Sequence, residues 1–304
     1  MAVSIGSTAE TQTGPEVLAR SRARAALIPD LLVEAQRIAN SVTGGWHGRK
    51  RRGIGDTFWQ FRPYDATEGT ARIDWRRSAR EDSLYVRDQE WEAAQTVWVW
   101  ADASPSMLYR SETVEVSKQS RALVLALALI EVLAKSGEKV GWPGVTRAIS
   151  SRNAAERIAA ELVLAKSADG GFPETSQLRN RAHFVMISDF LTPLEETLDR
   201  VNRLARDGIN GALVQVYDPA EQRFPFTGRT QFRDPETGEQ LTYGRAETIR
   251  DDYTALFSAR SETLARHCKR LGWNFVRHST GSLASTALVA LHMRLTGQGG
   301  GFAS

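Results

Sequence analysis

From residue 96 onward, short apolar runs alternate along the chain with longer stretches of helical periodicity. Apolar strands that alternate with helices require crossover connections, and these produce a mostly parallel sheet with helices on both faces. We therefore predict an α/β fold with a doubly wound, mostly parallel sheet. The predicted strands lie at about 97–101, 139–142, 145–149, 183–190, 212–217 and 274–278, and the predicted helices at about 114–135, 153–166, 193–206, 246–271 and 282–295.

The residues before this region differ in character. Residues 1–13 are small and polar, which predicts a disordered tail. Apolar residues then recur at helical spacing from Pro15 to about Val42, with a break expected near Pro29. Between 46 and 95, aromatic and arginine residues alternate with a period near two, which indicates short strands and turns. The predicted domains are a tail (1–13), an N-terminal helix with a small β-rich module (14–95), the sheet domain (96–296) with a hairpin at 229–245, and a flexible tail (297–304).

Charge and cysteine content exclude several classes of protein. The net charge of +3 does not demand the clustered basic face of a nucleic-acid-binding protein. A single cysteine, Cys268, excludes an internal disulfide and a cysteine-based zinc cluster. The N-terminus has no secretory-signal pattern, and the longest apolar run, 122–134, is too short for a membrane span. We expect a soluble, cytoplasmic protein.

Oxygen-bearing side chains follow two of the predicted strands. Asp102, Ser104 and Ser106 alternate directly after the strand at 97–101, and Asp189 ends the strand at 183–190. In a parallel sheet both groups lie at the carboxyl edge, where ligands bind. Carboxylate and hydroxyl oxygens are the ligands that Mg²⁺ prefers. The sequence therefore predicts a Mg²⁺ or Mn²⁺ site formed by these four residues.

A structural interpretation of the same residues stays open. Asp102 can cap the turn that follows the strand, while the two serines satisfy backbone donors.

A second group of residues also has two interpretations. It can be an interface where arginine and aromatic side chains anchor a protein partner, or a set of buried pairs in which Asp74 binds an arginine and Trp75 packs against the sheet. Its members are Arg62, Tyr64, Arg72, Asp74, Trp75 and Arg80.

Motifs of the common enzyme classes are missing from the sequence. The five histidines show no paired, metal-binding spacing, and no Gly-x-Ser-x-Gly, phosphate-binding or dinucleotide-binding pattern follows a strand.

Residues 49–52 are all basic, and with the aromatic residues downstream they suggest nucleic-acid binding through 49–87. Acidic residues follow closely, however, so a solvated basic turn is the favoured interpretation.

The order of several motifs resembles the bacterial "domain of unknown function 58" family, whose C-terminal part is a von Willebrand factor A-like fold. In the wider fold a threonine from an intervening loop joins the metal ligands, and the resemblance implies Thr175 or Ser176 for this position. The resemblance covers residues 45–295, and it depends on the joint order of the motifs rather than on any one of them. Three features depart from the family: Thr70 after Gly69, Pro105 within the Asp-x-Ser-x-Ser motif, and the lack of membrane helices. The motifs are Gly-Ile-Gly-Asp-Thr-Phe (53–58), Arg-Pro-Tyr (62–64), Arg-Ile-Asp-Trp (72–75), Ser-Ala-Arg (78–80), Asp-Ala-Ser-Pro-Ser-Met (102–107), Ile-Ser-Asp-Phe (187–190) and Asp-Pro-Glu-Thr-Gly (234–238).

The resemblance implies partnership more than catalysis. Genes of this family commonly lie beside genes for MoxR-type AAA+ ATPases and other von Willebrand factor A proteins, and their products are thought to assemble or mature other proteins together. We therefore predict a non-enzymatic, metal-dependent protein-interaction module that acts as an adaptor or chaperone-like partner of such an ATPase. Two alternatives remain: metal-assisted hydrolysis at the same sheet edge, and nucleic-acid binding through 49–87.

Overall fold

The computed structural model describes residues 14–46, 58–64, 73–80, 83–89, 95–165, 171–179 and 181–295. The chain divides into two compact units, one formed by Met1–Gly44 with Gln95–Ser304 and the other by Gly45–Ala94. The predicted tails at 1–13 and 297–304 lie outside the described residues.

The larger unit contains a five-stranded parallel sheet, as the alternation of strands and helices predicts. Its strands are β3 (Thr96–Ala101), β4 (Lys139–Gly141), β5 (His183–Ser188), β6 (Asn210–Tyr217) and β9 (Asn274–Ser279). Their order across the sheet is β4-β3-β5-β6-β9, and every neighbouring pair is parallel. The helices that accompany them are α3 (Lys118–Lys135), α4 (Ala154–Leu164), α5 (Leu194–Arg206), α6 (Pro219–Arg223), α7 (Arg250–Arg270) and α8 (Ala284–Leu295).

Consecutive residues of β9 show that helices cover both faces of this sheet. Successive side chains of a strand point to opposite faces. The Arg277 guanidinium lies 5.6 Å from the ring centre of Phe257 on α7. His278 is buried on the other face, where burial and then the charge of Arg121 on α3 lower its pKa to about 4. The sheet is therefore doubly wound, with α3 on one face and α7 on the other.

The first helix is longer and more continuous than the sequence pattern indicates. Helix α1 (Gly14–Trp46) contains Pro29 in its interior, so the predicted break near Pro29 is wrong. Buried residues continue on both sides of the proline, from Ile28 and Leu31 to Ala35, and this packing outweighs the lost backbone hydrogen bond. Residues of α1 contact α4 and α3. The helix therefore belongs to the same compact unit as the sheet, whereas the sequence analysis grouped it with the short strands in residues 14–95.

Several predicted boundaries differ from the structure for local reasons. Helix α3 begins at Lys118 rather than near 114, because the Ser117 side chain caps it by accepting a hydrogen bond from Ser120 N–H. The predicted strand at 145–149 is reduced to one antiparallel bridge between Val140 and Ile149. The predicted hairpin is present as β7 (Thr230–Arg233) and β8 (Gln240–Tyr243).

The smaller unit contains the predicted short strands. β1 (Phe58–Pro63) pairs antiparallel with β2 (Tyr85–Gln89), and the register shifts between Phe58 and Gln60. A four-residue helix, α2 (Trp75–Ser78), lies between the strands in the chain. The basic residues 49–52 lie outside the described residues, so binding of nucleic acid there stays a prediction.

Candidate functional site

Two predicted carboxylates follow neighbouring strands of the sheet. Asp102 comes directly after β3 and Asp189 directly after β5, and these two strands pair. The chain leaves β3 to form β4 on one side and later returns to form β5 on the other, so the strand order reverses between them. Ligands of open α/β sheets bind in the crevice at such a point. The topology therefore places both residues where a binding site is expected.

The Asp102 carboxyl group is buried, and both of its oxygens accept hydrogen bonds. Oδ1 accepts from the Ser104 N–H at 2.8 Å, the turn-capping bond of the structural interpretation, and Oδ2 accepts from the Ser188 hydroxyl at 2.7 Å. Burial, and after it the charge of Asp189, raises the pKa of Asp102 from 3.8 to about 7. At neutral pH both the neutral and the charged form of the Asp102 carboxyl group are therefore populated.

Ser104 and Ser106 bring their hydroxyl groups together in the same loop. Their Oγ atoms lie 3.1 Å apart, and both residues are buried. Between them begins the 3-10 helix Pro105–Leu108, since the fixed φ of Pro105 suits the first position of a helix. The Ser106 N–H donates to Glu236 Oε1 at 3.0 Å, so the loop between β7 and β8 contacts this loop.

The cation beside Asp189 is the ammonium group of Lys118. Its Nζ lies 2.8 Å from Asp189 Oδ2 and 2.5 Å from Glu221 Oε1, and the side chain is fully buried. Burial by itself would lower the pKa of Lys118, but the charges of Asp189 and Glu221 outweigh it and hold that pKa above its ordinary value. We call Asp102, Lys118, Asp189 and Glu221 the charged centre.

Helix α6 fixes the position of Glu221. Asp218 precedes this helix, and its Oδ1 accepts from the Ala220 N–H at 2.8 Å. Glu221 Oε2 in turn accepts from the Asp218 N–H at 2.8 Å, which completes a capping box. Asp218 Oδ2 also accepts from the Ser111 N–H at 2.9 Å, and this bond connects the loop after β3 with the loop after β6.

The turn after Asp189 has a strained backbone. Phe190 has a φ of 53°, in the left-handed region that a bulky residue rarely adopts. Its N–H donates to the Ser188 hydroxyl at 2.9 Å, and its carbonyl accepts from Arg260 Nε at 2.7 Å. Such strain persists where surrounding contacts enforce it, and it is common at functional sites.

The arrangement does not fit the predicted ion. Mg²⁺ requires a near-octahedral set of oxygens. Both oxygens of Asp189 already accept hydrogen bonds, Oδ2 from Lys118 and Oδ1 from the Leu191 N–H at 3.1 Å. An ion bound to the hydroxyl groups of Ser104 and Ser106 would also share a buried site with an ammonium group. The Mg²⁺ or Mn²⁺ site stays a prediction. The contacts of Asp189 favour the ammonium group of Lys118 as the cation at this position.

The predicted loop ligand lies before β5. The Thr175 carbonyl accepts from the Leu178 N–H at 3.0 Å, and the Ser176 hydroxyl donates to Glu174 Oε1 at 2.9 Å. Within the described part of the chain, neither hydroxyl bonds to the charged centre. Phe172 of the same loop stacks on Trp100 at 5.9 Å between ring centres. The pairing of β3 with β5 and the hydrogen bonds of the loop thus bring Asp102, Ser104, Ser106 and Asp189 to one edge, and Thr175 as a further ligand stays a prediction.

Asp74, in the second group of predicted residues, has a structural contact. Its Oδ1 accepts from the Arg77 N–H at 3.0 Å, so Asp74 is the N-cap of α2. Trp75 is 62% exposed, and its packing against the sheet stays a prediction. The Tyr64 N–H donates to the Leu84 carbonyl at 2.7 Å, and Arg80 is exposed. Arg72 and the side chain of Arg62 lie outside the described residues.

Replacing Asp74 by Ala should weaken α2 locally. The Arg77 N–H would lose its acceptor, and loss of an N-cap side chain costs about 1 kcal/mol. Hydrogen exchange of the Arg77 amide should therefore be about 5-fold faster in Asp74→Ala than in the wild type. Asp74→Asn keeps a capping oxygen and is the control, with exchange close to the wild-type rate. Equal rates in Asp74→Ala and the wild type would show that the cap has no stabilising effect.

Sequence reasoning missed half of the charged centre. Lys118 was included in a predicted helix without a role, and α6 with Glu221 was not predicted. The sequence Asp-Pro-Ala-Glu at 218–221 carries a signal for α6, because Asp as N-cap, Pro at the first position and Glu at the third form a capping box. Lys118 has no comparable local signal, since its partners lie 71 and 103 residues away.

Comparison with known proteins identifies a family. The model of the family described as "Protein of unknown function DUF58" matches residues 60–263, which include β3, the Asp-x-Ser-x-Ser loop, Lys118, Asp189 and Glu221. No curated protein matches the chain. Within the described ranges, no helix combines the length and the apolar composition that crossing a bilayer requires.

Two solved structures resemble the chain at low similarity. The conserved hypothetical protein BatB from Bacteroides thetaiotaomicron has 17% identity and a TM-score of 0.39, and the match covers 68% of this chain and 98% of that one. An aerotolerance-related membrane protein from Bacteroides fragilis, with multiple mutations to serines, has 17% identity and a TM-score of 0.39 over 67% of this chain and 100% of that one. Both likenesses are too distant to transfer a function.

Proposed function

The chain belongs to the DUF58 family of proteins of unknown function, and from that premise we propose that it is a non-enzymatic protein-interaction module. Its larger unit is a von Willebrand factor A-like domain that binds another protein at the carboxyl edge of the sheet. A parallel sheet with Asp-x-Ser-x-Ser at its switch point supports this assignment. The proposed partner is a MoxR-type AAA+ ATPase, alone or with other von Willebrand factor A proteins, and the proposed location is the cytoplasm.

The observation that carries this proposal is that three buried carboxylates accept hydrogen bonds from the backbone of the loops at this edge. Asp102 accepts from Ser104 N–H, Asp189 from Leu191 N–H, and Glu221 from Asp218 N–H. Each carboxylate therefore fixes the backbone of a loop at the carboxyl edge. A set of loops that is held rigid in this way favours binding, because little conformational entropy is lost when a partner docks.

Apolar side chains are exposed on the loops of the same edge. Leu108 follows the Asp-x-Ser-x-Ser motif and is 46% exposed, and Leu283 lies in the loop after β9 and is 76% exposed. The segment before α3, which contains Val114, lies close to the loop after β9, which contains Gly281. A Cβ atom added to Gly281 would lie 3.5 Å from Val114 Cγ1. We call Leu108, Val114 and Leu283 the docking edge, and we propose that it contacts the ATPase. Leu108 and Leu283 are exposed and Val114 is half-buried. Apolar side chains exposed on neighbouring loops are typical of protein-binding surfaces.

Charge substitutions in the docking edge test this proposal. Leu108→Asp and Leu283→Asp should each weaken binding to a purified MoxR-type ATPase of the same organism by about 10-fold or more, because an aspartate in an apolar contact must be desolvated. Met293→Asp is the matched control, since Met293 is 43% exposed near the end of α8. That end lies at the opposite edge, where the Arg294 guanidinium donates to the Phe275 carbonyl at the start of β9.

The result should appear in a titration calorimetry experiment with the full chain. Weakened binding by both docking-edge variants, with wild-type binding by Met293→Asp, is the expected outcome. Equal affinities for all three variants would place the interface elsewhere. No binding by the wild type would argue against the ATPase as the partner.

Hydrolysis at the same edge is a second candidate, and one observation favours it. The pKa of Asp102 is raised to about 7, mainly by burial, and this value suits a general acid or base at neutral pH. If hydrolysis is the function, Asp102→Asn should abolish it. In the interaction module, the same variant should keep its affinity for the ATPase.

A further inference from the structure

The position expected for a metal ion already contains a positive charge. The Asp-x-Ser-x-Ser loop and Asp189 are the residues from which an ion site was predicted, and Lys118 Nζ lies 2.8 Å from Asp189 Oδ2. We propose that this site needs no metal ion, because the ammonium group of Lys118 supplies the positive charge that an ion would bring. This inference holds whether or not the protein binds an ATPase.

The backbone fixes the ammonium group in this position. Lys118 is the first residue of α3, and its N–H donates to the Tyr109 carbonyl at 3.2 Å. The helix therefore starts at the carboxyl edge, beside the loop that contains Ser104 and Ser106. The side chain is fully buried, and its ammonium group also lies 5.7 Å from the centre of the Tyr109 ring, within the range of a cation–π contact. A long and flexible side chain thus has a single defined end point.

The partners of Lys118 come from two separate segments of the chain. Asp189 follows β5, and Glu221 belongs to α6, which follows β6. Both carboxylates are buried, and without a cation between them they would repel each other. Metal ions commonly connect loops in this way. Here one lysine connects α3, the β5 turn and α6 by direct contacts.

The remaining oxygens do not form an independent ion site. Asp102 Oδ1 and Oδ2 accept from Ser104 N–H and the Ser188 hydroxyl, and the Ser104 and Ser106 hydroxyl groups bond to each other. A divalent ion in this loop would displace these bonds and would lie near the Lys118 ammonium in a buried, weakly screened site.

Replacing an ion with a lysine changes how the site can act. A bound Mg²⁺ keeps open positions that a carboxylate of a partner could occupy. The Lys118 ammonium instead directs its donors to Asp189 and Glu221 of the same chain. The charged centre therefore orders the loops from within, and chelators should leave both its stability and its binding surface unchanged.

Titration of Mg²⁺ and of Mn²⁺ into the metal-stripped full chain tests the proposal. We expect no saturable one-to-one binding with a dissociation constant below about 1 mM, and the same thermal midpoint in EDTA as in millimolar Mg²⁺. A variant with both Ser104→Ala and Ser106→Ala is measured in parallel. Saturable binding by the wild type that this double variant loses would overturn the proposal. Binding that both this double variant and Asp102→Asn retain would lie outside the predicted site and would agree with the proposal.

Discussion

Replacing Lys118 by Met should lower the free energy of unfolding by about 3 to 5 kcal/mol, because it removes the cation from between two buried carboxylates. Met has nearly the same length, so the loss of charge, rather than of volume, causes the effect. Nζ of Lys118 contacts Asp189 Oδ2 and Glu221 Oε1, and all three side chains are buried. Urea denaturation followed by circular dichroism measures the change.

Two further variants test whether the loss of stability comes from the buried charge of Lys118 and not from removal of any lysine. Lys139→Met removes an exposed lysine at the start of β4 and should change the stability by no more than about 0.5 kcal/mol. Adding Glu221→Gln to Lys118→Met removes one of the two repelling charges, so the double variant should be more stable than Lys118→Met alone. A change of less than about 1 kcal/mol in Lys118→Met would contradict the role of Lys118 as the cation of the charged centre.

Replacing Asp102 by Asn should make the stability less dependent on pH between about 4 and 8. The pKa of Asp102 is raised from 3.8 to about 7, so the folded protein binds this proton more tightly than the unfolded chain does. Its contribution to stability is therefore fully present below pH 3.8 and is lost as the pH rises through about 7. The loss is on the order of 4 kcal/mol, and Asp102→Asn should not show it.

The measurement is urea denaturation of the wild type and of Asp102→Asn across this pH range. The variant should gain stability relative to the wild type as the pH increases. Ser188→Ala provides the opposite test: it removes a hydrogen bond that lowers the pKa of Asp102, so the loss of stability should move to higher pH. Parallel pH profiles for the wild type and Asp102→Asn would show that Asp102 does not titrate in this range.

Local patterns predicted the parts of the site that follow directly from strands. Asp102 and Asp189 were assigned to one edge because apolar runs precede both, and a parallel sheet places the ends of its strands together. The same reasoning placed Ser104 and Ser106 beside Asp102, since they are only two and four residues further along the chain. Each of these inferences depends on separations of a few residues, where the geometry of a strand determines the outcome.

Contacts between distant segments could not be predicted in this way. Lys118 meets Asp189 and Glu221 across 71 and 103 residues, and nothing near Lys118 in the sequence distinguishes it from an exposed lysine at the start of a helix. The sequence also could not place Thr175 relative to the charged centre, because the path of a long loop is determined by its own contacts, such as Phe172 on Trp100.

A crystal structure of the full chain grown with Mn²⁺, with anomalous diffraction recorded at the manganese edge, tests most directly whether Lys118 is the cation of this site. The account predicts electron density for the Lys118 ammonium between Asp189 and Glu221 and no anomalous peak within bonding distance of Ser104, Ser106 and Asp102. A manganese peak bonded to those three residues, with the Lys118 side chain turned away from Asp189, would contradict it.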